Sequence, residues 1–207
     1  MLDAGLCAQI ACIWEATARK PGNVHRYRDF DDCSYLDFLL SAAAIAPALT
    51  TACRRRVGVT VLEAVRATRL VVNTNTNLGI VLLLAPLASV PGEEELRSGV
   101  ERVLAGLDVD DARLVYEAIR LASPGGLGRA AEQDIRDEPT QTLRQVMALA
   151  AEREVLVVLN RADFNYVDRR RWTDDDAQRS DKRQQQRRAR ADTTSHFSAC
   201  GNAHAAR

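Results

Sequence analysis

Three short stretches of this 207-residue chain carry residue types able to hold phosphates and metal ions. The first runs Glu15-Ala16-Thr17-Ala18-Arg19-Lys20-Pro21-Gly22-Asn23-Val24-His25, then on to Asp29, Asp31 and Asp32. It sets an acid, two bases and a Pro-Gly turn at the exit of a helix. Lys20 beside such a turn reaches a phosphate, and the backbone N–H groups of Gly22 and Asn23 add donors. The acids downstream suit Mg²⁺, which takes oxygen ligands and usually bridges to substrate phosphates. The second stretch is Asn73-Thr74-Asn75-Thr76-Asn77-Leu78-Gly79, small amide and hydroxyl residues ahead of a strongly apolar run. It places candidate phosphate ligands Asn75, Asn77 and Gly79 at a helix N-terminus, where free N–H groups and the positive dipole end favour an anion. The third is Ser123-Pro124-Gly125-Gly126-Leu127-Gly128, followed by Glu132, Gln133, Asp134, Asp137 and Glu138. It lacks the Gly-Lys-Ser/Thr of a P-loop and the preceding strand of a dinucleotide fingerprint. It reads as a flap with acids for base or metal work.

Each stretch also has a plain structural reading: a charged helix end, an amide cap, a flexible connection. His25 reads as a loop residue before it reads as a catalyst.

The elements that must position these residues are helical. Leu2, Leu6, Ile10, Ile13 and Trp14 recur at three- and four-residue spacing and predict a first helix with one apolar face, stopped by Pro21-Gly22. Ser34 with Asp37 signals a helix start before Leu36, Leu39, Leu40 and Ala43. Pro47 is expected to kink or end that helix. Thr60 with Glu63, and Asp108 with Asp111, give similar start signals. Further helices are expected over Glu93–Leu107 and Thr140–Arg153. Leu78–Val90 is too short to cross a bilayer and reads as a buried helix. Val155–Leu159 is β-branched and reads as a short strand or helix. The expected fold is all-α: a compact multi-helix bundle over 1–153, an intermediate segment 154–167, and a disordered polar tail over 168–207.

Charge supports that division. Lys plus Arg and Asp plus Glu are 28 each, so the whole chain shows no polyanion-binding balance. From Asp168 onward there are ten basic and six acidic residues, a net of +4, and no Leu, Ile, Val or Met. Such a segment cannot bury enough apolar surface to offset its ordering entropy. Five cysteines (Cys7, Cys12, Cys33, Cys53, Cys200) form no Cys-x-x-Cys, and histidine occurs only at His25, His196 and His204. The pattern speaks against structural zinc and for a reducing, cytoplasmic setting. The start Met1-Leu2-Asp3-Ala4 has no basic leader, so neither secretion nor membrane attachment is expected.

Together the three stretches resemble the triphosphoribosyl-dephospho-CoA synthase family. The resemblance rests on Glu15 with Lys20-Pro21-Gly22-Asn23-Val24, Asp29 and Phe38-Leu39-Leu40-Ser41-Ala42. It continues through Asn75-Thr76-Asn77-Leu78-Gly79-Ile80-Val81-Leu82-Leu83-Leu84-Ala85-Pro86-Leu87, Pro124-Gly125-Gly126-Leu127-Gly128 and Gln133-Asp134. It spans roughly Cys7–Arg153. The citrate-lyase type carries His-Lys-Gly after its Asn-Thr, whereas here Leu78 precedes Gly79, so one basic phosphate contact is missing. Past Val155 the sequence departs from the family's pattern, as a replaced tail or a truncated or frame-shifted product would.

The resemblance implies a reaction. ATP gives a 5-triphosphoribosyl group to the ribose 2′-hydroxyl of 3′-dephospho-CoA or a related acceptor, and adenine leaves. It implies Lys20, Gly22, Asn23, Asn75, Asn77 and Gly79 on the phosphates of ATP. Glu15 and Asp29 become catalytic or Mg²⁺ ligands, and Asp134 a base or metal ligand. The competing expectation is a non-catalytic or degenerate helical member whose basic tail binds a polyanion such as RNA. The acids within the tail and its lack of Gly-Arg repeats speak against nucleic acid.

Overall fold

The computed structural model describes residues 3–20, 23–124 and 133–150. The chain divides into two units: Met1–Arg19 with Val24–Tyr166, and Lys20–Asn23 with Val167–Arg207. All the helices below lie in the first. Of the second, only Lys20 and Asn23 are described, and the Asn23 N–H donates to the Lys20 carbonyl at 3.4 Å.

Seven α-helices form in order, with no strand among the described residues: α1 Ala4–Thr17, α2 Tyr35–Thr50, α3 Val57–Val71, α4 Leu78–Ala88, α5 Leu96–Ala105, α6 Val109–Ala122 and α7 Leu143–Ala150. The all-α expectation holds. The expected strand at Val155–Leu159 and the tail from Asp168 lie outside the described residues.

Side-chain ties fix the directions of the helices. Thr50 Oγ1 donates to Asp3 Oδ1 at 3.0 Å, and the Thr17 and Tyr35 hydroxyls meet at 2.9 Å. The start of α1 therefore meets the end of α2, and its end meets the start of α2, so the pair is antiparallel. The buried Asp111 carboxylate takes the Gly58 N–H at 2.8 Å, and Arg66 pairs with Glu117 at 2.6 Å. Those contacts advance together along both chains, so α3 and α6 run parallel. The core between them holds Ile45, Leu49, Val61, Val65, Val81 and Val115. Helix α4 contacts α1, α2, α3 and α5, and none of its residues is fully exposed.

Two expected start signals form as capping boxes. The Ser34 hydroxyl accepts the Asp37 N–H while Asp37 takes the Ser34 N–H, and Asp108 and Asp111 do the same at α6. Two expectations fail, and half of a third.

The buried face of α1 is Gly5, Ala8, Cys12 and Ala16, while Leu6 is 38% and Trp14 72% exposed. Close helix approach selects small residues, and bulk hydrophobicity does not register that. Pro47 neither ends nor splits α2, which continues through it to Thr50. Thr60 does not start a helix either: α3 begins at Val57 with Arg56 as N-cap, and the Thr60 hydroxyl bonds back to the Arg56 carbonyl at 3.3 Å. Glu63 instead pairs with Arg55. The segment Glu93–Leu107 narrows to α5, where Glu95 caps by accepting the N–H groups of Arg97 and Ser98.

Candidate active site

Polar residues buried at one end of the bundle gather the starts and ends of five helices. Ser41, fully buried in α2, meets the Thr76 hydroxyl at 2.6 Å. Ser41 Oγ also donates to the Asp37 carbonyl at 2.6 Å, so its proton is spent there and Thr76 is the donor between them. One residue on, the Asn77 amide bonds Thr68 in the last turn of α3 at 3.1 Å. The turn Asn73–Asn77 is thereby tied to the first half of α2 and to the end of α3. Since α1 ends where α2 begins and α6 runs parallel to α3, one end collects five termini. They are the ends of α1, α3 and α6 and the starts of α2 and α4.

The sequence-derived candidates divide accordingly. Glu15 sits half-buried in the last turn of α1. Asp29 is exposed, and its Oδ1 takes the Tyr35 N–H at 2.6 Å. It thus supports the first turn of α2, a position favoured for a carboxylate. Asn75 Oδ1 accepts the Leu78 N–H at 3.2 Å, leaving Asn77, the formal N-cap of α4, with no side-chain bond to the helix. Gly79 lies in the first turn of α4. These five stand at the same end. Asp134 is 9% exposed and takes the Arg136 N–H at 3.0 Å.

Beside Asp134, the Tyr116 hydroxyl donates to the Gln133 carbonyl at 2.6 Å. Burial first, then the charges of Asp134 and Asp137, push the Tyr116 phenol up. Lys20 and Asn23 belong to the second unit, and Gly22 and the Gly125–Glu132 flap lie outside the described residues.

Asn77 does structural work beyond its expected role. At 5% exposure its amide is committed to Thr68. Residues that sequence reasoning missed are Ser41 and Thr76, which fix the same turn, and Tyr116, which anchors Gln133. Ser41 and Thr76 lie inside the recognised motifs, but nothing in spacing says that they meet. Gln133 has φ +52°, a left-handed conformation that a non-glycine residue keeps only when its surroundings hold it. Here its side chain bonds Thr140 Oγ1 at 2.8 Å and takes the Thr140 N–H at 3.2 Å.

Cys12 and Cys33 are held as thiols. Burial, then Glu15, pushes Cys12 up to about 11. Burial, then Asp37, Asp32 and Asp29, pushes Cys33 up to about 11. Neither offers a thiolate nucleophile near neutral pH. Among the described residues no group of three or more His, Cys, Asp or Glu side chains could hold a metal ion. Glu15 and Asp29 suit the one or two carboxylates that Mg²⁺ usually takes alongside substrate phosphates.

A family model described as ATP:dephospho-CoA triphosphoribosyl transferase (CitG) matches residues 1–197. The match runs well past Arg153, and the expectation that the chain leaves the family's pattern after Val155 is corrected accordingly. Neither a curated protein nor a solved structure matches the chain.

Proposed function

The chain belongs to the ATP:dephospho-CoA triphosphoribosyl transferase family, and we propose that it moves the 5-triphosphoribosyl group of ATP onto the ribose 2′-hydroxyl of 3′-dephospho-CoA or a related acceptor. The bond between ribose C1′ and the adenine nitrogen breaks. A bond from the acceptor oxygen to C1′ forms, and the hydroxyl proton ends on the departing adenine.

The observation that supports this most is that the amide-rich start of α4 and the last turn of α1, which carries Glu15, lie at the same end of the bundle. A helix start offers N–H groups and a positive dipole end to a phosphate. In this reading the first turn of α4 and Asn75 face the triphosphate; Lys20, Gly22 and Asn23 are proposed as phosphate ligands on the family resemblance alone. Asn77 holds that helix start in place through Thr68.

Glu15 and Asp29 supply negative charge where the ribose ring becomes positive as adenine leaves. Asp134, buried beside Tyr116, is the group proposed to take the acceptor's proton. Mg²⁺ held between Glu15, Asp29 and the phosphates would supply charge neutralisation when bound.

The test is product analysis by mass spectrometry after incubating the full chain with ATP, Mg²⁺ and 3′-dephospho-CoA. A triphosphoribosyl adduct formed together with an equal amount of free adenine is expected. ADP or AMP as the sole products, with no adenine, would refute the transfer.

A further inference from the structure

A second nucleotide must be held alongside ATP in the proposed transfer, and one feature near the same end is built for an anionic aromatic ligand. Between α1 and α2 the chain makes a tight turn closed in both directions. The His25 N–H donates to the Arg28 carbonyl at 3.0 Å, and the Arg28 N–H to the His25 carbonyl at 2.7 Å. Arg26 and Tyr27 form its tip. On one side the turn is anchored by Val24, 3% exposed. On the other, Asp29 takes the Tyr35 N–H at the start of α2.

Tyr27 is 64% exposed, and two guanidiniums lie against its ring. The Arg26 guanidinium carbon lies 4.5 Å from the ring centroid and that of Arg19 5.5 Å. Its own N–H donates to His25 Nδ1 at 3.2 Å.

The two arginines differ from several others among the described residues. Arg55, Arg56, Arg66, Arg102 and Arg113 are each paired with a carboxylate. Among the described residues neither Arg19 nor Arg26 has such a partner. A guanidinium resting on an aromatic face loses little further freedom on binding, and its N–H donors stay in plane to meet phosphate oxygens two at a time. An exposed aromatic ring among cations also offers a stacking surface for a base.

The geometry points to Arg19, Arg26 and Tyr27 as the site that takes the adenosine 5′-pyrophosphate part of the acceptor, separate from the triphosphate cradle at α4. This rests on the transferase reading, which brings two nucleotides to one end of the bundle at once. Arg19 follows the end of α1 by two residues, so the turn borders the place where the acceptor's ribose must arrive. The two guanidiniums hold the pyrophosphate, and Tyr27 both orients them and stacks on the base.

The experiment measures binding of 3′-dephospho-CoA and, separately, of ATP to the full chain by calorimetry. The wild type is compared with the Arg19→Ala/Arg26→Ala double variant, Tyr27→Ala and Tyr27→Phe, with circular dichroism as the folding check. The double variant is expected to bind 3′-dephospho-CoA at least ~10-fold more weakly and ATP within about twofold of wild type, because it spares the α4 cradle. Tyr27→Phe keeps the ring face and is expected to bind like wild type, whereas Tyr27→Ala is weakened several-fold.

Unchanged acceptor binding in the double variant would overturn the assignment. So would a wild type that does not bind 3′-dephospho-CoA, or a parallel loss of ATP binding. Selective loss of acceptor binding in a chain that releases no adenine would keep the surface and sink the transferase reading. Adenine release with acceptor affinity untouched by the variants would do the reverse.

Discussion

At the scale of single residues, Asn77 and Asp108 carry structural burdens that set testable costs. Replacing Asn77 by Ala leaves the buried Thr68 hydroxyl without its amide donor and removes the tie between α3 and the start of α4. A loss of about 1–3 kcal/mol is expected, measured by urea denaturation. Asn75→Ala, which removes only a half-buried cap to Leu78, should cost about 1 kcal/mol or less.

Asp108 joins three elements. It caps α6, pairs with Arg56 ahead of α3, and its carbonyl takes the Leu143 N–H at the start of α7. The Arg56 hydrogen bond, then the Asp111 N–H, holds the Asp108 carboxyl down to about 2. Because its folded value lies below the unfolded 3.8, the folded state binds this proton less readily. The stabilisation is complete above pH 3.8 and is lost as pH falls towards about 2. Thermal melts of wild type and Asp108→Asn should therefore converge between pH 4 and pH 2, since Asn keeps the cap and cannot ionise; a gap that widens on acidification would contradict the assignment. The capping pair was legible in the sequence because Asp108 and Asp111 have the right spacing before an apolar run. The commitment of Asn77 to Thr68 was not, since it depends on how α3 and α4 meet.

At the scale of elements, the α1–α2 pair shows why reading helices from hydrophobic spacing identifies the element and mistakes its face. Helix α1 was expected from its 3.6-residue rhythm, and it forms. The rhythm favoured Leu6 and Trp14 over the small residues, and the packing reverses that choice. A Cβ on Gly5 would sit 2.2 Å from the Ala46 carbonyl oxygen and 2.2 Å from Thr50 Oγ1, so only glycine allows this approach. Gly5→Ala should cost about 1–3 kcal/mol, the usual range for overpacking, although alanine is the better helix former. An unchanged melting temperature would show that the helices can move apart freely. A Cβ on Gly58 would likewise lie 2.9 Å from Asp111 Cα. Thr60 misled for a related reason: local rules place caps, while tertiary packing starts α3 ahead of it.

At the scale of the whole molecule, the three chemistry-bearing stretches are far apart in sequence, and the family pattern is what relates them. Physical chemistry alone described each as a charged helix end, a cap or a loop. The antiparallel α1–α2 pair and the parallel α3–α6 pair bring their helix ends to one side, information that no local window contains. The most direct measurement is the rate of adenine release from ATP in the presence of 3′-dephospho-CoA for wild type, Glu15→Ala and Lys20→Ala. Each variant is predicted to fall by on the order of 10²-fold or more, as loss of a group that stabilises transition-state charge usually causes, while remaining folded. Near-normal release in both variants would contradict the proposed site.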